Sequence, residues 1–133
     1  DGCGIPVWSI PLSHLAGGWS QLRARGSGRR LLEAMAREPF LVAGTEKACT
    51  RIIELAGGDA VVKTGAEGVF CGVDLRTGHA FALKARDGEA RGAEVATEWL
   101  LDRLGCIDFA APRLLRNWSG ETVGEIRVSK NQN

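Results

Sequence analysis

The chain has 133 residues, of which 44% are hydrophobic and 25% charged, and its formal net charge is +1. That length suits one domain with a core of its own and is short for two, and the composition is that of a folded globular protein rather than a disordered one. The near-zero charge gives no drive toward nucleic acid or anionic lipid, and apolar runs of a few residues exclude a bilayer-spanning helix.

No basic stretch leads into an apolar one at the start, so no signal peptide is expected. The only methionine is Met35, and a chain opening on Asp1 reads as a fragment or processed product of a larger catalytic domain. Cys3, Cys49, Cys71 and Cys106 are widely spaced and form no Cys-x-x-Cys pair. A chain this apolar does not need disulfide staples, so reduced thiols and a cytoplasmic location are expected.

In chain order, the first predicted helix runs from Ile10 to Arg25. Leu12, Leu15, Ala16, Trp19 and Leu22 fall at helical spacing there, and Pro11 suits a first turn. Gly26-Ser27-Gly28 reads as a break, and a second helix through Leu31, Leu32 and Met35 ends before Pro39. Thr45 is the expected N-cap of a third helix with Cys49, Ile52, Ile53 and Ala56 inward, stopped by Gly57-Gly58.

The pattern then changes period. Ala60-Val61-Val62, Val69 to Val73 and Ala80 to Leu83 read as strands, the last two joined as an antiparallel hairpin by the turn-rich Asp74-Leu75-Arg76-Thr77-Gly78. A long helix from Glu89 to Leu104 should turn Ala93, Ala96, Trp99, Leu100 and Leu104 inward, with Gly105 closing it. Asn117-Trp118-Ser119-Gly120 is a turn, and Val123 to Val128 a last strand. Helices, then strands, then a helix on the sheet predict an α+β fold with an antiparallel sheet and packed helices.

The segment richest in chemistry is Lys63-Thr64-Gly65-Ala66-Glu67-Gly68. Lys-Thr-Gly at a strand end is the third motif of the serine β-lactamase and penicillin-binding fold, and two strands and a long helix follow it here. Longer strings join it: Asp1-Gly2-Cys3-Gly4-Ile5-Pro6, Val42-Ala43-Gly44-Thr45, Val62 through Cys71, Ala82-Leu83-Lys84 with Asp87-Gly88, Asn117-Trp118-Ser119-Gly120, and Val123-Gly124-Glu125-Ile126-Arg127. Over nearly the whole chain, these strings resemble the C-terminal part of the asparaginase II family, the bacterial thermolabile type.

The resemblance implies a fold like that of serine β-lactamases and glutaminases, and hydrolysis of L-asparagine to aspartate and ammonia. It implies a Ser nucleophile in Ser-x-x-Lys, but no serine here has a lysine three positions on, so that motif is expected upstream of Asp1 and the chain alone is expected to be inactive. By resemblance, Asp1 holds the substrate's α-amino group and Lys84 partners a serine. Lys63, Thr64, Gly65 and Ala66 are expected to bind the substrate, Lys63 meeting a carboxylate, Thr64 offering a hydroxyl and Ala66 giving its N–H to the oxyanion. Cys71 is associated with zinc in the family, whereas without that association it is a small buried hydrophobe. A closed zinc site takes more ligands than the sequence supplies around it.

His14, isolated on a helix surface, and His79, in a hairpin turn, are not candidate ligands, and Cys3, Cys49 and Cys106 read as packing residues. Asn117-Trp118-Ser119 is a formal glycosylation sequon that without a secretory signal means only a turn. Two other readings stay open: a glutaminase or β-lactam-recognising hydrolase on the same fold, and a non-catalytic module docking onto a chain that carries the nucleophile. The expected partner is a small-molecule substrate, with a missing N-terminal half and a homodimer as candidate assemblies, and neither nucleic acid nor membrane.

Overall fold

Five helices and five strands form among residues 3–24, 26–109 and 112–129, which a computed structural model of the chain describes. In order they are α1 (Leu12–Ala24), α2 (Gly26–Arg37), α3 (Pro39–Ala43), α4 (Ala48–Leu55), β1 (Ala60–Thr64), β2 (Val69–Asp74), β3 (Ala80–Lys84), α5 (Ala90–Arg103), β4 (Arg113–Arg116) and β5 (Thr122–Ile126). The fold is α+β, as the change of period predicts. No helix of the described residues is long and apolar enough to cross a membrane.

Pro11 starts α1, its carbonyl accepting from the N–H groups of His14 and Leu15 at 3.0 and 3.1 Å. α1 and α2 are separate helices, as the break expected around Gly26-Ser27-Gly28 requires, but these residues themselves form the first turn of α2. Gly28 is buried because its backbone crosses α1 closely, where a Cβ would lie 2.4 Å from the Leu22 carbonyl oxygen. Pro39 does end α2, yet it also opens α3, where its fixed φ suits a first turn.

The expected N-cap at Thr45 is replaced by Lys47, which makes no side-chain capping bond. The chain turns at Glu46, with φ of 58°, before α4 begins, and it is the Thr50 hydroxyl that ties this turn down, donating to the Gly44 carbonyl at 2.7 Å. The inner face of α4 is as expected, with Cys49, Ile52, Ile53 and Ala56 all buried.

β1, β2 and β3 form one antiparallel sheet with β2 in the centre. The register sets Lys63 opposite Cys71, Cys71 opposite Ala82 and Val69 opposite Lys84. Val61, Val62, Phe70 and Val73 fill the core with Leu32, Ile52, Ile53, Ala93 and Leu101 from the helices. Gly72, in the middle of β2, leaves room for Phe81, whose ring would be 2.7 Å from a Cβ there.

The buried face of α5 is Ala93, Val95, Thr97 and Leu101; of the residues expected inward, Ala93 is buried and Leu104 packs against the core, whereas Ala96, Trp99 and Leu100 are not buried. Thr97 goes inside because its hydroxyl donates to the Ala93 carbonyl at 2.8 Å within its own helix, leaving only a methyl to pack. Trp99 lies outward with the Arg103 guanidinium 5.7 Å from its ring centroid. β5 is shorter than the expected Val123–Val128 and pairs with β4, a strand the sequence reading missed. The turn between them is held by Asn117, whose side-chain oxygen accepts from the N–H groups of Ser119 and Glu121, both at 3.0 Å. Arg113 of β4 reaches Glu94 and Glu98 of α5, and Glu98 also takes Arg51 of α4 at 2.7 Å, so this second sheet is fastened by ion pairs.

Candidate active site

The Lys-Thr-Gly segment lies where β1 turns into β2. The Gly65 N–H donates to the Val69 carbonyl at 2.8 Å and the Val69 N–H returns to Ala66 at 3.2 Å, closing a tight turn. Glu67 takes φ of 53° and Gly68 φ of 71° to complete it. A Cβ on Gly68 would meet the Ala85 Cβ at 2.8 Å and the Gly88 carbonyl carbon at 3.0 Å, so this turn is packed against the one that leads from β3 to α5. The Ala85 N–H joins the two, donating to the Gly68 carbonyl at 2.9 Å.

Lys84, the last residue of β3, reaches across this junction. Its Nζ donates to the Glu67 carbonyl, with the Glu67 carboxylate 4.0 Å away. The structure therefore brings Lys84 to the same sheet end as Lys63, Thr64, Gly65 and Ala66. Ala66 is exposed and its N–H donates to no described residue. Asp1 lies outside the described residues.

Strand alternation sets Lys63, Cys71 and Lys84 on one face of the sheet, Lys63 and Cys71 side by side in one row and Lys84 in the next row toward the end. Cys71 is only 5% exposed. Burial alone pushes its thiol up, toward the neutral form, which is a poor metal ligand. No group of three or more His, Cys, Asp or Glu among the described residues could hold a metal ion. These donors do not fit a closed zinc site.

Cys49 has a role beyond packing. β1 is an edge strand, so the outward N–H of Thr64 has no neighbouring strand to meet; it donates instead to the Cys49 Sγ at 3.2 Å. Burial pushes the Cys49 thiol up, against the pull of that N–H and of the Lys63 charge, while Glu94 adds to the rise. Nothing in the spacing of Cys49 signals this contact, which depends on how α4 lies along β1. Cys106 is buried as expected, with Arg76 at its sulfur, but Cys3 is exposed rather than packed. His14 and His79 are exposed, one on α1 and the other beside the β2–β3 turn.

A cavity of about 440 Å³ opens beside the strand end, with Lys47, Cys49, Lys63, Thr64, Ala90 and Glu94 on its wall. Lys63 also borders an apolar cavity of about 480 Å³, walled by Trp19, Leu22, Leu32, Met35 and Val42. Sequence reasoning marked Lys63 and Thr64 but not Lys47 or Glu94, which arrive from the loop before α4 and from α5.

The family model for L-asparaginase II matches residues 1–128. No curated protein matches the chain.

Proposed function

Because the chain belongs to the L-asparaginase II family, we propose that it forms part of an amidohydrolase that converts L-asparagine to aspartate and ammonia. The family match over residues 1–128 carries this reading, and the gathering of Lys84 with the Lys-Thr-Gly turn supports it. The reaction needs attack on the side-chain amide carbonyl, stabilisation of the oxyanion, and protonation of departing ammonia. The nucleophile is assigned to a Ser-x-x-Lys motif on residues outside this sequence, within a larger domain resembling serine β-lactamases and glutaminases. Lys84 is the catalytic cation of this portion and Asp1 the acid that holds the α-ammonium. Lys63 and Thr64 receive the substrate's carboxylate, while Gly65 keeps the turn narrow enough for the Ala66 N–H to face the oxyanion. No step of the reaction is assigned to zinc.

A partner-docked reading is favoured by a different observation: the large apolar side chains of Ile5, Val7, Trp8, Phe40 and Leu41 are each exposed, and such side chains can be covered by another protein segment. Ammonia release tests both. Full-length protein should release ammonia from L-asparagine faster than from L-glutamine, and the 133-residue chain alone should release none above a heat-killed control. Turnover by the isolated chain would overturn the assignment of the nucleophile, and a preference for L-glutamine would overturn the substrate.

A further inference from the structure

The cavity between α4 and α5 carries an unbalanced positive charge. Lys47 and Lys63 both line it. Among the described residues, ion pairs are made by Arg29, Arg51, Arg76, Lys84, Arg113 and Arg127, and by neither of these two lysines. The Lys63 Nζ donates to the carbonyl of its neighbour Thr64 at 3.0 Å, a solvent-exposed bond that an incoming anion can replace. The Thr64 hydroxyl has only long contacts, 3.3 Å to the Gly65 carbonyl and 3.4 Å to that of Val69, so it is poorly used where it stands. Glu94 is the acidic residue on this wall, and its carboxylate is already engaged by Arg113. Lys47, Lys63 and Thr64 thus line a space of about 440 Å³, within the usual size of a small-molecule site.

We propose that this cavity seats the carboxylate of an amino-acid-sized ligand, and that Lys47 supplies the second cation and sets specificity for a free α-carboxylate. Two ammonium groups on one carboxylate bind it more selectively than one, because each adds to its hydrogen bond an attraction of opposite charges that a neutral amide lacks. The naming of asparagine and aspartate as ligands rests on the asparagine-hydrolase reading; the charge argument for an anion does not.

The test uses full-length protein with two probes, L-aspartate and L-aspartic acid diamide, which has no carboxylate. Lys47 is exposed, so Lys47→Ala and Lys47→Gln should melt like wild type. Both should weaken L-aspartate binding about tenfold and raise KM for L-asparagine with kcat little changed. Lys47→Arg should keep most of the affinity, and the difference between variants should shrink at high salt. Binding of the diamide should be the same in all of them. An unchanged L-aspartate affinity in natively folded Lys47→Gln, or an equal loss for the diamide, would overturn the proposal. Lys47-dependent aspartate binding in a protein that never releases ammonia would instead support the carboxylate seat and remove the hydrolase reading.

Discussion

At the β2–β3 turn the sheet is tied from several sides. Asp74 is fully buried and accepts from the backbone N–H of Arg76 at 2.8 Å and from the Thr77 hydroxyl at 2.9 Å, with the Arg76 guanidinium beside it. Arg76 goes on to the Leu104 carbonyl at the end of α5, at 3.1 Å, and toward Asp59, at 3.5 Å. From α1, Arg23 donates to the carbonyls of Leu75 and Arg76, and Ser20 to that of Gly78. At the opposite end, the Lys-Thr-Gly turn is held by the backbone N–H groups of Gly65, Val69 and Ala85, by a thiol on the Thr64 N–H, by Lys84 on the Glu67 carbonyl, and by the packing of Gly68. One end of the sheet spends its polar groups on the fold; the other leaves Lys63, Ala66 and Lys84 exposed.

That difference predicts opposite responses to mutation. The largest effect should come from Lys84→Ala in the full-length protein, where turnover should fall on the order of a hundredfold or more, the range for a lost acid–base group. Melting temperature should hardly move, since Lys84 is exposed and its bond is to a carbonyl at the surface. Asp1→Ala should likewise lower turnover or binding without unfolding. Near-wild-type kinetics in both variants would make Lys84 a fastener of the Glu67 turn and nothing more.

At the tied end the prediction reverses. Asp74→Ala should leave substrate affinity alone and cost about 3 kcal/mol of stability, because it strands the donors of Arg76 and Thr77 around a buried gap. Its pH dependence has a definite sign. Burial raises the Asp74 carboxyl, but the side-chain and backbone bonds from Arg76 and Thr77 outweigh that, so its pKa lies below the ordinary value. The stabilisation is therefore complete above the unfolded value near about 4, and it is lost as pH falls through the lowered folded value. Melting curves across that acid range should show a drop in wild type that is shallower in Asp74→Ala. Equal acid sensitivity in the two proteins would mean that other carboxylates govern the transition.

Gly68→Ala sharpens the comparison from the site end. Here the fold does depend on a single residue, since an alanine must take φ near 71° and press its Cβ against Ala85 and the Gly88 backbone. A loss of about 2 kcal/mol is expected from those two costs together. Because the turn carries the Ala66 N–H, kcat should fall with stability. A variant that loses stability but keeps kcat would separate the turn from the oxyanion.

The parts of this architecture that were legible in sequence are those fixed by local pattern: the inner face of α4, the three strands, and the polar β2–β3 turn. The Thr45 cap failed because Glu46 and the Thr50 hydroxyl close the turn in another way. The face of α5 was misread because Thr97 hides its hydroxyl in its own helix, while Trp99 finds Arg103 outside. β4 was missed since Arg-Leu-Leu-Arg has no two-residue alternation. At the site, Lys63, Thr64 and Lys84 could be marked from their motif and the family resemblance. Lys47 and Cys49 could not, because what places them is the lie of α4 along the outer edge of β1, a long-range packing relation that leaves no spacing signature.

The smallest expected effect concerns Cys71, which lies between Lys63 on β1 and Ala82 on β3, one step inside the exposed end. If it acts as a packing residue, Cys71→Ser buries a hydroxyl in place of a thiol and should cost roughly 1 kcal/mol, the ordinary size of such a core change. If it acts as a zinc ligand, the thiolate would bind at about 2.3 Å and needs companions, since zinc takes four ligands. The structure favours packing: the thiol is pushed toward its neutral form by burial. Elemental analysis of full-length wild type and Cys71→Ser should therefore give equal zinc content, alongside a modest fall in melting temperature. Stoichiometric zinc in wild type that the serine variant loses would move Cys71 from the tied interior to the working end of the sheet, and the division between those ends would have to be redrawn one residue further in.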